Sequence, residues 1–146
     1  MGTIVVGVDG SAGAIAAARF AVEEARIRKA TLRFVAAWHV PAMAYGNAFA
    51  VAPGDLPEAM QEVAGSALEQ TLSQLGDLGG IEIEKHVEGG PAAQVLLREA
   101  AGADLLVVGS RGHGGFTELL LGSVSQQCAH HAPCPVVIVR AANAAD

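Results

Sequence analysis

ADLLVVGSRGHGGFTELLLGSVSQQ, from Ala103 to Gln127, is the stretch whose reading decides the fold. Its opening, ADLLVVG, is a fully apolar run of strand length. Its close, from Gly122 onward, reads as the start of a helix, with Ser123 and Gln126 at the S-x-x-Q spacing of a capping box. Between and around them stand Gly109, Gly112, Gly114, Gly115 and Gly122. Glycine gives up more backbone freedom on folding than any other residue. A cluster of it must supply what a side chain forbids: a tight turn, or a close approach of backbone N–H groups to something else. A strand, a glycine turn and a helix together make the repeating unit of a parallel α/β sheet.

The same unit recurs upstream. TIVVGV (Thr3–Val8) reads as a buried strand that ends in the turn DGS. Ala12 to Ala30 is a helix. Ile15, Ala18, Val22 and Ala25 lie on one face, and Arg19–Glu23 and Glu24–Arg28 stand at i,i+4. TLRFVAAW (Thr31–Trp38) is a second strand. The connection from His39 to Asp55 is longer than most and is expected to be functional or mobile. Leu56 to Leu75 is a second helix, with Met60, Val63, Ala64, Ala67, Leu68 and Leu75 assigned to its apolar side. IEIEKHV (Ile81–Val87) alternates apolar and polar, as a strand near the edge of a sheet does. A third helix opens with Pro91 in its first turn and stops at Gly102. After the glycine stretch a fourth helix runs to about Ala132. PVVIVR (Pro135–Arg140) is a last strand, and residues 141–146 form a frayed tail.

The order is βαβαβαβαβ, which predicts one α/β domain over residues 1–146 with helices on both faces of a parallel sheet. Ligands of such sheets bind at the carboxyl ends of the strands, where the winding reverses. Two of those ends are marked by glycine, GVDGS (Gly7–Ser11) and GSRGHGG (Gly109–Gly115). Exposed N–H groups at a helix start carry about half a positive charge, so the pattern points to a phosphate-bearing ligand. Arg111 is the cation within the loop. The Walker pattern fails because no Lys precedes Ser123, and G-x-G-x-x-G fails because Thr117 stands where its third glycine belongs.

Composition narrows the function classes. The chain has 146 residues and a formal net charge of −6, with no basic face suited to nucleic acid. No apolar run approaches the roughly 18 residues of a membrane span. The first residues lack the basic region and cleavage site of a secretory signal. Val6 occupies the position where a myristoylation start needs Ser or Thr. Cys128 and Cys134 are expected to stay reduced. The expectation is a cytoplasmic, soluble protein without nucleic-acid or membrane partners. His130 and His131 are adjacent on a helix and point about 100° apart, so they do not converge on one metal ion. No nucleophile or general base with an orienting partner can be picked out, so no catalytic residue is assigned. Asp9 is open to two readings, a turn residue or a ligand residue. Trp38 and Tyr45 flank the long connection and read as packing residues.

The spacing Gly109-x2-Gly112-x9-Gly122-Ser123 resembles the G-2x-G-9x-G-[ST] nucleotide-binding signature of the universal stress protein family. VVGVDGS near the start and GSVSQQCAHHAPCPVVIVR at the end resemble the same family. The resemblance implies a Rossmann-like open sheet of five parallel strands in the order 3-2-1-4-5, and ATP binding with Mg²⁺. It implies that Gly7, Val8 and Asp9 close the first strand at the site, with Asp9 near the ribose and phosphates or an associated Mg²⁺. Ala37 would meet adenine through its backbone. Gly109, Arg111 and Gly112 would line the ribose and phosphates. Gly122, Ser123, Val124 and Ser125 would hold the phosphates. Gly90 departs from the family, standing where a polar helix cap is common. The resemblance also implies a homodimer through the last strand, Pro135 to Arg140. The reading is a nucleotide-dependent switch or assembly module of the stress response. A slow ATPase or adenylate-transferring enzyme on the same fold is the alternative, as is a structural dimer with a vestigial site.

Overall fold

A computed structural model describes residues 2–40, 56–111 and 121–141. The strands are β1 (Thr3–Gly7), β2 (Thr31–Trp38), β3 (Ile83–Gly89), β4 (Leu105–Gly109) and β5 (Val136–Val139). The helices are α1 (Ala12–Arg28), α2 (Leu56–Leu75), α3 (Ala92–Glu99) and α4 (Ser123–His131). All strands are parallel, in the order β3-β2-β1-β4-β5. The winding reverses between β1 and β4, so the carboxyl ends of those two strands open the crevice of a doubly wound sheet.

The two faces of the sheet carry two separate cores. α1 and α2 cover one face, where Ala17, Ala18, Ala21 and Leu68 pack on Ile4, Val6, Phe34 and Val107. α3 and α4 cover the other, where Val95, Leu96 and Cys128 pack on Val5, Val35, Leu106 and Val108. β1 and β4 are buried on both sides because they lie in the middle of the sheet. That explains their unbroken apolar runs.

The contact face of α1 is almost all alanine, so the helix lies close to the sheet. At its first turn the approach is backbone to backbone. A Cβ on Gly109 would stand 2.7 Å from the Gly13 carbonyl carbon, and one on Gly13 would overlap the Arg111 carbonyl oxygen. These glycines are required by packing.

The boundaries differ from the sequence reading in instructive places. α1 ends at Arg28, because Lys29 turns left-handed (φ 55°) and caps the helix by donating its N–H to the Ala25 carbonyl. Glu23 pairs with Arg26 (2.5 Å), not with Arg19; Glu24 pairs with Arg28 (3.0 Å) as expected. In α2 the buried line is Ala64, Leu68 and Thr71, at i, i+4 and i+7. Val63 turns outward and is 63% exposed. Thr71 joins the core because its hydroxyl donates to the Ala67 carbonyl at 2.9 Å. β3 is displaced two residues toward the C-terminus, since its ladder with β2 continues to Trp38–Gly89. α3 takes Pro91 as its N-cap, without a side-chain cap bond.

Candidate functional site

Three helix starts converge at the carboxyl end of the sheet. At the first, Ser11 caps α1: its hydroxyl accepts from the Ala14 N–H at 3.2 Å. Asp9 holds Ser11 in place, its Oδ1 accepting from the Ser11 N–H at 2.9 Å and from the Ser11 hydroxyl. The turn reading of Asp9 therefore holds, and the same residue also borders the cavity described next.

That cavity, about 360 Å³, lies between the ends of β1 and β4. Its apolar wall is Val35, Ala37, Ala92, Leu96 and Val108. The ladder between β1 and β2 ends with the Val8 N–H donating to Val35 O at 2.9 Å. Ala37 stands just beyond it, on the same face of β2 as Val35. The polar end of the cavity is Asp9, Ser11, Arg111 and the start of α4 at Gly122, Ser123, Val124 and Ser125. Gly7, Val8 and Gly109 form the floor between the two ends. Of the ligand residues expected from sequence, Gly112 lies outside the described residues, and the others all border this one cavity; the packing residue Tyr45 also lies outside the described residues.

Two assignments change in detail. Gly122, not Ser123, is the N-cap of α4, and no side chain caps the helix. Gln126 Nε2 donates instead to Leu121 O at 3.1 Å, so the capping box does not form. The first N–H groups of the helix, on Ser123, Val124 and Ser125, are left to other partners. Ser125 is buried, and its hydroxyl donates to Ser110 O at 2.8 Å and to Gly122 O at 3.0 Å. Ser123 is exposed. Trp38 packs on the α1–α2 core with its ring against Gly89, away from the cavity wall.

Sequence reasoning missed Ser11, Val35, Ala92 and Leu96. Val35 could have been found from Ala37, two residues on along the same strand face. Leu96 could not, because only the packing of α3 brings it to the crevice.

Elsewhere, His86, Glu88 and Glu99 bring metal-ligand atoms within 4.8 Å of one another. Arg33 already supplies positive charge there, with Nε 2.7 Å from Glu84 Oε1 and Nη1 3.5 Å from Glu99 Oε1. His86 Nδ1 lies 2.8 Å from the same Glu99 oxygen. This is a charge network that ties α3 to the edge strand β3. His130 and His131 occupy the last turn of α4, their rings inclined at 53°. Cys128 and Cys134 are free thiols. Burial, with Cys134 nearby, pushes the Cys128 thiol up to about 11. Burial and Asp104 also raise Cys134. Neither is an activated thiolate.

The universal stress protein family model matches residues 1–140. The chain belongs to the universal stress protein family. A curated relative, universal stress protein Rv2624c of Mycobacterium tuberculosis, is 37% identical over 143 residues, covering 96% of this chain and 48% of the relative. The chain thus spans about half the length of that relative. Among solved structures, the universal stress protein UspA from Lactobacillus plantarum superposes with a TM-score of 0.78 at 24% identity, covering 95% of this chain and 97% of that one. It supports the fold. A universal stress protein solved in complex with cAMP has a TM-score of 0.69 at 28% identity, covering 97% of this chain and 98% of its own. The five parallel strands in the order 3-2-1-4-5 match the fold of the Lactobacillus plantarum protein.

Proposed function

We propose that this universal stress protein domain is a regulatory module that binds ATP with Mg²⁺ at the β1–β4 crevice. The observation that carries the reading is the polarity of the cavity. One wall is apolar and sized for a flat base; the opposite end is a helix start with outward N–H groups, where anionic groups are stabilised. Adenine packs against Val35, Ala37 and Leu96. The phosphates meet the N–H groups of Ser123, Val124 and Ser125, with Arg111 beside them. The cAMP-bound relative supports an adenine nucleotide as the ligand class.

Asp9 is the one carboxylate bordering the cavity among the described residues. A carboxylate with oxygen-rich surroundings suits Mg²⁺, which is commonly held by one or two carboxylates and the phosphates themselves. Mg²⁺ would supply charge neutralisation of the phosphates. The cavity sets an apolar base wall against a helix start that holds anions, an arrangement for binding, and the reading is a binding module rather than an enzyme.

The assembly is read as a homodimer through β5. The two edges of the sheet differ. β3 carries Glu84, Lys85, His86 and Glu88, and charges protect an edge from pairing. β5 is VVIV, apolar and half-buried on both faces. An edge of that kind is a template for a second copy.

The test is a calorimetric titration of ATP, with and without Mg²⁺, into the wild type and Ser123→Glu. Ser123 is exposed in the first turn, where an acidic residue favours the helix but repels phosphate. The reading expects binding by the wild type and a loss of at least tenfold in the variant. No binding of ATP or cAMP by a folded wild type would leave the glycines as packing residues, and the domain as an assembly module.

A further inference from the structure

The phosphate-facing helix hangs on one backbone residue. Ser110 directly follows β4. Its N–H donates to Val139 O of β5 at 2.8 Å, and its carbonyl accepts the Gly122 N–H at 2.7 Å. The same carbonyl accepts the Ser125 hydroxyl at 2.8 Å, and that hydroxyl also lies 3.0 Å from Gly122 O. A serine hydroxyl has one proton to give. Here it is directed at two carbonyls, and the side chain is 1% exposed. Ionised phosphate oxygens only accept, so this proton is not on offer to them.

We infer that Ser125 is a positioning residue and not a phosphate ligand through its side chain. Its hydroxyl latches the third helical residue of α4 to the end of β4. It thereby fixes the direction in which the first N–H groups of the helix face the cavity. A buried tether of this kind confers precision that a surface loop lacks. The latch is made entirely of atoms of the chain, which separates it from a ligand contact. The role rests on the nucleotide reading above; the latch itself does not.

The test uses Ser125→Ala. Ser110 O keeps the Gly122 N–H, so the variant leaves no buried carbonyl orphaned and should fold. Two measurements are made. One is amide exchange in the nucleotide-free protein at Gln126, whose N–H donates to Gly122 O at 3.0 Å as the first bond of the helix. The other is the affinity for ATP and for adenosine, which lacks phosphate. The latch predicts faster exchange at Gln126 by several-fold. It also predicts ATP binding weakened roughly 3- to 10-fold, the value of one net hydrogen bond, with adenosine binding unchanged. Ser125→Thr, which keeps the hydroxyl, should restore both.

Weakened ATP binding with unchanged exchange would make the hydroxyl a direct ligand and overturn the proposal. Equal losses for ATP and adenosine would indicate general loosening and also overturn it. So would no change in either measurement. If the wild type binds no nucleotide, the functional reading falls. The latch then stands if exchange at Gln126 rises in Ser125→Ala and falls if it does not.

Discussion

Replacing glycine by alanine at two helical positions should shift stability in opposite directions. Gly65 lies in α2, and a Cβ there meets nothing within 4 Å. Gly65→Ala therefore collects the helix-propensity gain, about 0.5–1 kcal/mol. Gly13 lies in the first turn of α1. The same gain is available in principle, reduced near a helix end. A Cβ there would overlap the Arg111 carbonyl oxygen, with the Arg111 carbonyl carbon at 3.6 Å. The obstacle is backbone, and no rotamer relieves it. Overpacking of a tight site costs about 1–3 kcal/mol. The net for Gly13→Ala is a loss of about 1–2 kcal/mol. For a domain of this size about 1 kcal/mol moves Tm by roughly 3–4 °C. Gly65→Ala should rise by about 2–4 °C and Gly13→Ala fall by about 3–8 °C. Urea unfolding should show shifted midpoints with unchanged m. A stabilised Gly13→Ala would refute the backbone contact between α1 and the segment after β4. With it would go the claim that these glycines serve packing.

Three further outcomes are expected. Asp9→Asn keeps an oxygen for the Ser11 N–H and hydroxyl but loses the charge. Its Tm should fall by no more than about 4 °C, since neutral hydrogen bonds replace charge-assisted ones, while the dependence of ATP affinity on Mg²⁺ disappears; undiminished Mg²⁺ dependence would remove Asp9 from the metal's surroundings. In the unfolded chain the Cys128 thiol ionises near 9.0 and in the folded chain near 11. Between these values the unfolded state binds fewer protons, so stability falls as pH rises, by about 2 kcal/mol at pH 11. Urea midpoints from pH 8 to 11 should fall more steeply for the wild type than for Cys128→Ala, and parallel curves would contradict the buried neutral thiol. Finally, Pro135 O and Val139 O face β4, accepting from the Leu106 and Ser110 N–H groups. By alternation the Ile138 N–H faces outward. Ile138→Pro removes that donor and leaves the β4 ladder intact, so light scattering should report a monomer; a persisting dimer would place the interface elsewhere.

Sequence alone determined the order of elements, the parallel sheet and the crevice. Each of these is written in local periodicity: apolar runs of strand length, an amphipathic repeat, and glycine at the turns between them. The candidate site was legible as residue types for the same reason. A strand end and a helix start are local features, so Gly7 to Asp9 and Gly122 to Ser125 could be named from their neighbours. The partners of those residues were not legible. Ser125 donates across fifteen positions to Ser110, and Gly109 yields space to Gly13, far back in the chain. Leu96 reaches the cavity only because α3 packs over β1 and β2. Val63 faces outward because the buried line of α2 is set by what it packs against, and nothing in its own periodicity separates Val63 from Ala64. Tertiary structure therefore decided which glycines are spacers and which hydroxyl is a latch. A hydrogen bond or a close approach belongs to a pair of atoms, and one sequence position specifies only half of it.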